Sequence, residues 1–284
     1  MNKRKNYNQT IPAFILFLMI SFLAIFIFSL LAPVLFPIDL GTTNLAERLA
    51  LPAFIDKTSG YLLGTDHLGR DFAIRIVYAT RNSLMIAFSG LIIAAFLGTC
   101  MGMLAGMNNG WIDSFIMFLV DVRLSVPSTI IAIVCSSIFG SSKFTMIMII
   151  GCTGFASFAR LVRGQILQLK EANFIECSQA LGASKVRILF EHVFINISSP
   201  LIINATIRLS SFILLESSLS FLGLGIQPPD VSLGVMVSAG RDYMISSWWL
   251  TIVPSLVIIL VVLDASLIGD WLRDKLDPKL QNNS

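Results

Sequence analysis

Six long runs of mostly apolar residues dominate this chain of 284 residues, at 11–36, 83–107, 112–139, 144–162, 199–224 and 248–269. Each is close to or longer than the roughly 20 residues a helix needs to cross a bilayer. Lipid offers no hydrogen bonds to the backbone, so such runs satisfy their own N–H and C=O groups as helices. The expected fold is therefore all-α, a polytopic membrane protein with six transmembrane helices. Composition agrees: 55% of residues are hydrophobic and 13% charged, against about 25% charged in a soluble domain. That balance excludes an ordinary soluble enzyme, and disorder with it. A net charge of +3 is too small for a basic nucleic-acid surface. The lipid bilayer is the expected partner and nucleic acid is not.

The first run follows Lys3, Arg4 and Lys5, which look like the start of a secretion signal. A signal core is about 7–15 residues, so a retained helix is expected instead. Polar segments separate the spans at 37–82, 163–198 and 225–247, and a charged tail begins at Asp270. Six spans put both termini and the fourth connection on one side. That side carries eleven Lys and Arg against seven on the other, with Arg123 and Arg208 inside spans. The excess places the N- and C-termini in the cytoplasm. Trp248 and Trp249 then fall at the outer interface and Trp271 at the inner one, where indoles prefer to lie.

Other chemistry is sparse. The four cysteines, Cys100, Cys135, Cys152 and Cys177, form no C-x-x-C pair, and the three in apolar runs read as small buried hydrophobes. His67 and His192 have no metal-ligand spacing, so no metal site is expected. No phosphate-binding G-x-x-x-x-G-K-[ST] loop occurs, nor a G-x-S-x-G elbow. The chain is not expected to be an enzyme.

Three features carry structural or functional meaning. Gly90, Ala94, Gly98, Gly102 and Gly106 recur every four residues, on one helix face. Small residues let helices approach closely in lipid, so this face packs either on a helix of the same chain or on a second subunit. Five ionisable residues fall within spans: Asp121, Arg123, Arg208, Glu216 and Asp264. Such groups are costly in lipid and mark function or cross-helix pairing. Asp121 and Glu216 read as structural pairs, and Arg123, Arg208 and Asp264 as residues of a pathway. Third, the fourth connection predicts a helix up to Leu181, a turn at Gly182 that a C-terminal cap favours, and a second helix capped by Ser184. Such a unit is either a rigid lever for a soluble partner or a plain structural hairpin. Between the first two spans, Gly64 and Gly69 predict a turn that Thr65 and Asp66 help to cap, and Asp71 and Arg75 are spaced to pair on a helix face.

Glu176-Cys-Ser, with Gly182 and Ile188 behind it, resembles the "EAA…G" loop of binding-protein-dependent ABC importer permeases. Three further stretches resemble the second permease of the dipeptide, oligopeptide and nickel importers. They are Leu63-Gly-Thr-Asp-His-Leu-Gly-Arg-Asp71 with Arg75 and Tyr78, Glu216-Ser-Ser-Leu-Ser-Phe-Leu-Gly-Leu-Gly-Ile-Gln-Pro-Pro229, and Gly269-Asp-Trp-Leu-Arg-Asp-Lys-Leu-Asp-Pro278. Cys177 and Ser178 stand in place of the motif's two alanines, and Ile195 where the family often has proline.

The resemblance implies a transport subunit in a bacterial cell membrane. Residues 1–82 would hold the N-terminal tail, first span and external segment, 83–270 a type I ABC transmembrane domain, and 271–284 a cytoplasmic tail. A second homologous permease would complete the pathway, and an extracytoplasmic binding protein would deliver peptides, nickel or metal chelates. Two ABC ATPase subunits, holding ATP and Mg, would dock on Glu176, Cys177, Ser178, Ala180, Leu181, Gly182, Ala183 and Ser184. The chain itself would carry no cofactor. An ion-coupled secondary transporter is the alternative reading, and a membrane scaffold a third.

Overall fold

Each apolar run becomes helix, but the helices do not begin and end where the apolar residues do. The computed structural model describes residues 12–37, 41–108, 110–170 and 193–276. The first run forms α1 (Ala13–Leu30) and a short α2 (Ala32–Leu35). The second forms α3 (Phe72–Met107), which starts well ahead of the apolar run. Its 36 residues extend about 54 Å at 1.5 Å per residue, well beyond a hydrocarbon core of about 30 Å. The added turns carry Arg75, Arg81 and Asn82, which thus belong to the helix and not to a loop. Asp71 starts it by accepting a hydrogen bond from the Ile74 N–H at 3.1 Å.

The third run is not one continuous span. It forms α4 (Trp111–Ser125) and α5 (Ser128–Phe139), bent by 90°. Proline disfavours helical geometry in the residue before it and has no N–H to donate. Val126 (φ −102°, ψ 127°) and Pro127 (φ −54°, ψ 134°) are accordingly both extended. The remaining runs give α6 (Lys143–Lys170), α7 (Phe194–Phe221) and α9 (Trp249–Leu276), with α8 (Leu233–Gly240) packed between the last two. Among the described residues, five helices are long and apolar enough to cross a membrane, or six spans if the bent pair is one.

The main core joins α3, α6, α7 and α9 through Leu84, Ile86, Ala94, Met146, Ile150, Phe158, Phe212, Ile213 and Val261. The closest pairing is α3 on α6. All five residues of the small-residue ladder are buried on that face. A Cβ at Gly90 would lie 2.6 Å from Ile150, at Gly98 2.4 Å from the Phe155 carbonyl oxygen, at Gly102 2.7 Å from the Ala159 oxygen, and at Gly106 2.8 Å from Ile166. The ladder thus faces a helix of its own chain. Helix α1 is peripheral, held by Phe22 and Phe26 against Phe88 of α3.

A second core lies at the end where α3 begins. Phe72, Ile76, Tyr78, Val231, Leu233, Met236, Trp249 and Leu250 close it. Trp249 is buried there and its neighbour Trp248 is exposed, so of the pair only Trp248 presents its ring outward. The 222–248 segment folds back on α3 and covers Trp249 with Val231, Leu233 and Met236. Cys100 and Cys152 are exposed rather than buried. In a membrane helix an apolar residue can face lipid as readily as the core.

Candidate functional site

The spans' ionisable residues have four distinct settings. On α4, Asp121 pairs with Arg160 of α6. Two turns earlier, Asp113 takes both Nε and an Nη of Arg163, at 2.5 and 2.7 Å. These two pairs fasten α4 to α6, and Lys170 donates to the Met107 carbonyl at the end of α3 (3.2 Å).

Glu216 of α7 is fully buried, and no cation pairs with it among the described residues. Its carboxylate accepts from Ser220 at 2.7 Å and faces Ser217 and the Ser83 hydroxyl of α3. Ser83 in turn accepts the Leu233 N–H at 3.2 Å, and Asn82 donates to the Val231 carbonyl at 2.7 Å. The motif following Glu216 therefore forms a sealed polar knot that ties α7 and the start of α8 to α3. The expected cross-helix partner of Glu216 is a set of hydroxyls instead of a charge.

Asp264 of α9 is nearly inaccessible, lies near Ser21 of α1, and has one carboxylate oxygen buried without a partner. It faces the peripheral helix and does not line the cavity described next.

Arg123 and Arg208 do come together. Both line a cavity of about 480 Å³ walled by α4, α5, α6 and α7. The break between α4 and α5 supplies one wall, and Arg123 spans it, donating to the Val126 carbonyl at 3.2 Å and the Ser128 hydroxyl at 2.9 Å. Helix α6 contributes Thr153, Gly154 and Ser157, and α7 contributes Arg208, Ser211 and Ser218. Two helices flanking the fourth connection thus form two of the walls. Residues 176–184, with Glu176, Cys177, Ser178, Ala180, Leu181, Gly182, Ala183 and Ser184, lie outside the described residues.

A second polar cluster precedes α3. Asp66 accepts the Leu68 and Arg70 N–H groups at 2.8 and 3.0 Å and binds Arg70 at 2.7 Å and Arg75 at 3.3 Å. Arg75 therefore pairs with Asp66, not with Asp71, whose carboxylate is engaged as the helix cap. Gly69 has φ +72°, and a Cβ there would lie 1.7 Å from the Asn44 carbonyl oxygen, so only glycine lets the turn close. Burial alone would raise the Asp66 carboxyl, but the backbone donors and the two guanidinium charges outweigh it and hold it below the usual carboxylate range. Burial, reinforced by the surrounding arginines, keeps the adjacent His67 imidazole below its usual range, although Asp66 opposes this. Its ring stacks on Tyr243 with centroids 5.7 Å apart.

Among the described residues no group of three or more His, Cys, Asp or Glu is placed to hold a metal ion.

A bundle of long apolar helices around a partly polar cavity fits a membrane transport subunit. Residues 98–282 match the family model described as the inner membrane component of binding-protein-dependent transport systems. The dipeptide transport system permease protein DppC of Haemophilus influenzae is 36% identical over 264 residues, covering 93% of this chain and 90% of the relative. The corresponding protein of Alkalihalophilus pseudofirmus is 38% identical, covering 94% and 85%. The glutathione transport system permease protein GsiD of Pectobacterium atrosepticum is 39% identical, covering 79% and 75%. The fold is similar to a chain of the inward-facing MetNI methionine ABC transporter, with a TM-score of 0.56 and 19% identity over 72% of this chain and 96% of that one. The chain belongs to the family of binding-protein-dependent transport inner membrane components. It is a multi-pass permease subunit of an ABC importer, not an ion-coupled secondary transporter.

Proposed function

We propose that this permease carries short peptides, with the cavity at Arg123 and Arg208 as its part of the pathway. The observation that carries the reading is the identity to dipeptide permeases across nearly the whole chain. Those names favour peptides over nickel or metal chelates. A second homologous permease completes the pathway, and a binding protein delivers substrate from outside. Both termini lie in the cytoplasm, as the Lys and Arg bias favours. Two ATPase subunits hold ATP and Mg and dock on residues 176–184, and this chain binds no cofactor.

The geometry supports a simple mechanism. Force on the 171–193 connection reaches α6 and α7 directly, because it joins their ends. Those helices present Thr153, Ser157, Arg208 and Ser211 to the cavity. Moving them relative to the α4–α5 break changes which end of the cavity is open. Nucleotide binding by the partners thus biases a two-state element.

Peptide uptake by vesicles containing the assembled transporter tests the function. ATP-dependent accumulation of a labelled dipeptide is expected, and transport of another solute but no peptide would overturn the substrate assignment. Gly182→Pro is expected to leave ATP hydrolysis running while uptake is lost, because proline removes an N–H and fixes φ where the sequence predicts a turn that glycine favours. Wild-type uptake by that variant at equal expression would remove the loop from the coupling route.

A further inference from the structure

We propose that Arg208 and Arg123 form a carboxylate-binding station within the permease cavity, which takes the C-terminal or side-chain carboxylate of a passing peptide. The inference rests on the peptide reading above and adds the chemistry by which this chain itself meets the substrate.

The argument starts from charge. An arginine within a span is costly unless paired or wet. Here two line one cavity, close enough for their guanidinium charges to repel. No Asp or Glu is among the residues lining that cavity. The other carboxylates of the spans lie elsewhere: Asp113 on Arg163, Asp121 on Arg160, Glu216 among serine hydroxyls, and Asp264 on the side facing α1. Among the described residues neither Arg123 nor Arg208 forms an ion pair. The positive charge of the cavity is therefore uncompensated within the described part of this chain.

Geometry then selects the ligand. Guanidinium groups present a planar fork of donors that matches a carboxylate. Arg123 is fixed in place by Val126 and Ser128, and its Nε is buried without a partner. Arg208 has no hydrogen bond to hold it among the described residues, so it can close on an arriving anion. The remaining polar lining is hydroxyl, from Ser128, Thr129, Thr153, Ser157, Ser211 and Ser218, which adds no net charge and offers donors to a carboxylate as Ser220 does to Glu216. The volume, about 480 Å³, falls within the roughly 300–1,000 Å³ of small-molecule sites. A transport site has to release what it binds. One tethered arginine and one without a hydrogen bond among the described residues, in an open, hydroxyl-lined cavity, meet that requirement.

Two experiments on the assembled complex test the proposal. In the first, Ser211→Cys places a thiol in the cavity. Its modification by an anionic sulfonate thiosulfonate and by a cationic trimethylammonium thiosulfonate is read by mass spectrometry at position 211. After normalisation to free cysteine, the anionic reagent is expected to react at least about tenfold faster, as two nearby positive charges in a medium of intermediate dielectric require. Adding Arg208→Gln is expected to reduce that ratio severalfold. A ratio near one, or one unmoved by Arg208→Gln, would overturn the proposal, because it would mean that a partner's carboxylate neutralises the site.

The second experiment compares ATP-driven uptake of Ala-Ala and Ala-Glu by wild type, Arg208→Gln and Arg208→Lys at equal assembly. Severalfold loss of both peptides in Arg208→Gln, with partial rescue by Arg208→Lys, identifies the C-terminal carboxylate. Loss confined to Ala-Glu identifies the side chain. Unchanged uptake of both, or no rescue by lysine, would overturn the station. If the wild-type complex moves no peptide at all, the peptide reading fails, while the labelling ratio still decides whether the cavity selects anions.

Discussion

Asp66→Ala is expected to lower the stability of the assembled permease by about 3–5 kcal/mol, the usual cost of stripping one partner from a buried ion pair. The carboxylate does two jobs. It accepts the Leu68 and Arg70 N–H groups that close the turn before α3, and it faces the guanidinium groups of Arg70 and Arg75. Arg75 is buried, and its remaining Nη1 has no partner even in the native fold. Without Asp66 that charge is left without an anion beside it. Asp66→Asn keeps Oδ1 as the acceptor for the two backbone groups but puts an NH2 donor where Oδ2 takes Arg70 and Arg75, so it loses the ion pairs and keeps the turn, and its cost is expected to be smaller. Asp71→Ala loses a helix cap alone, about 1 kcal/mol. Thermal unfolding of the purified complex orders the three; equal shifts for Asp66→Ala and Asp71→Ala would reject the buried-pair account.

Acid should act in the same direction. Asp66 has its folded-state pKa depressed, so its contribution is complete above the unfolded carboxylate value of about 3.9 and is lost as pH falls through the folded value. His67 is also depressed. The unfolded imidazole therefore takes up a proton first, and stability begins to fall as pH drops through about 6.5. Melting temperature is thus expected to decline in two stages on acidification, and His67→Gln should remove the upper one.

The contrast between Asp66 and Asp71 shows where sequence reading reaches its limit. Asp71 and Arg75 have helical spacing, and spacing alone favours pairing them. Only the closed turn, which brings Asp66 back over the first turn of α3, reveals the better partner. The spans were legible because lipid leaves helix as the one way to satisfy the backbone of a long apolar run. Their ends were not, since α3 begins in a polar segment started by a cap. The right angle at Val126 and Pro127 is invisible to hydropathy, which carries no information on backbone direction; its one sequence signal is Pro127 within the third run. The intramembrane arginines stood out as costly charges, but their meeting depends on bringing residues 123–129, 153–157 and 208–218 around one space. Spacing within one helix cannot encode that. Asp264 carried the same signal and lies elsewhere, so an intramembrane charge marks a residue that needs an explanation and does not name it.

Gly98 carries the second large effect. Gly98→Leu is expected to prevent accumulation of the folded permease, and Gly98→Ala to destabilise it by about 1–3 kcal/mol, the range for overpacking a close-packed site. A Cβ at this position would sit 2.4 Å from the Phe155 carbonyl oxygen and 2.5 Å from the Phe158 Cβ. Backbone cannot swing aside as a side-chain tip can, so relief requires α3 and α6 to separate along their length. That separation is especially harmful in a bilayer, where helix association depends on close van der Waals packing, because lipid supplies no hydrophobic drive between helices. It would also displace α6, whose Thr153, Gly154 and Ser157 wall the cavity. Gly164 of the same helix is the matched control: a Cβ there meets nothing within 4 Å and the backbone is not left-handed. Gly164→Ala is therefore expected to be neutral or stabilising by up to about 1 kcal/mol, through helix propensity alone. Expression level and melting temperature of the two alanine variants, measured side by side, separate close approach from a general intolerance of these helices to substitution. If Gly98→Ala melts with Gly164→Ala, α3 and α6 are free to move apart, and the small-residue ladder has to face a different surface.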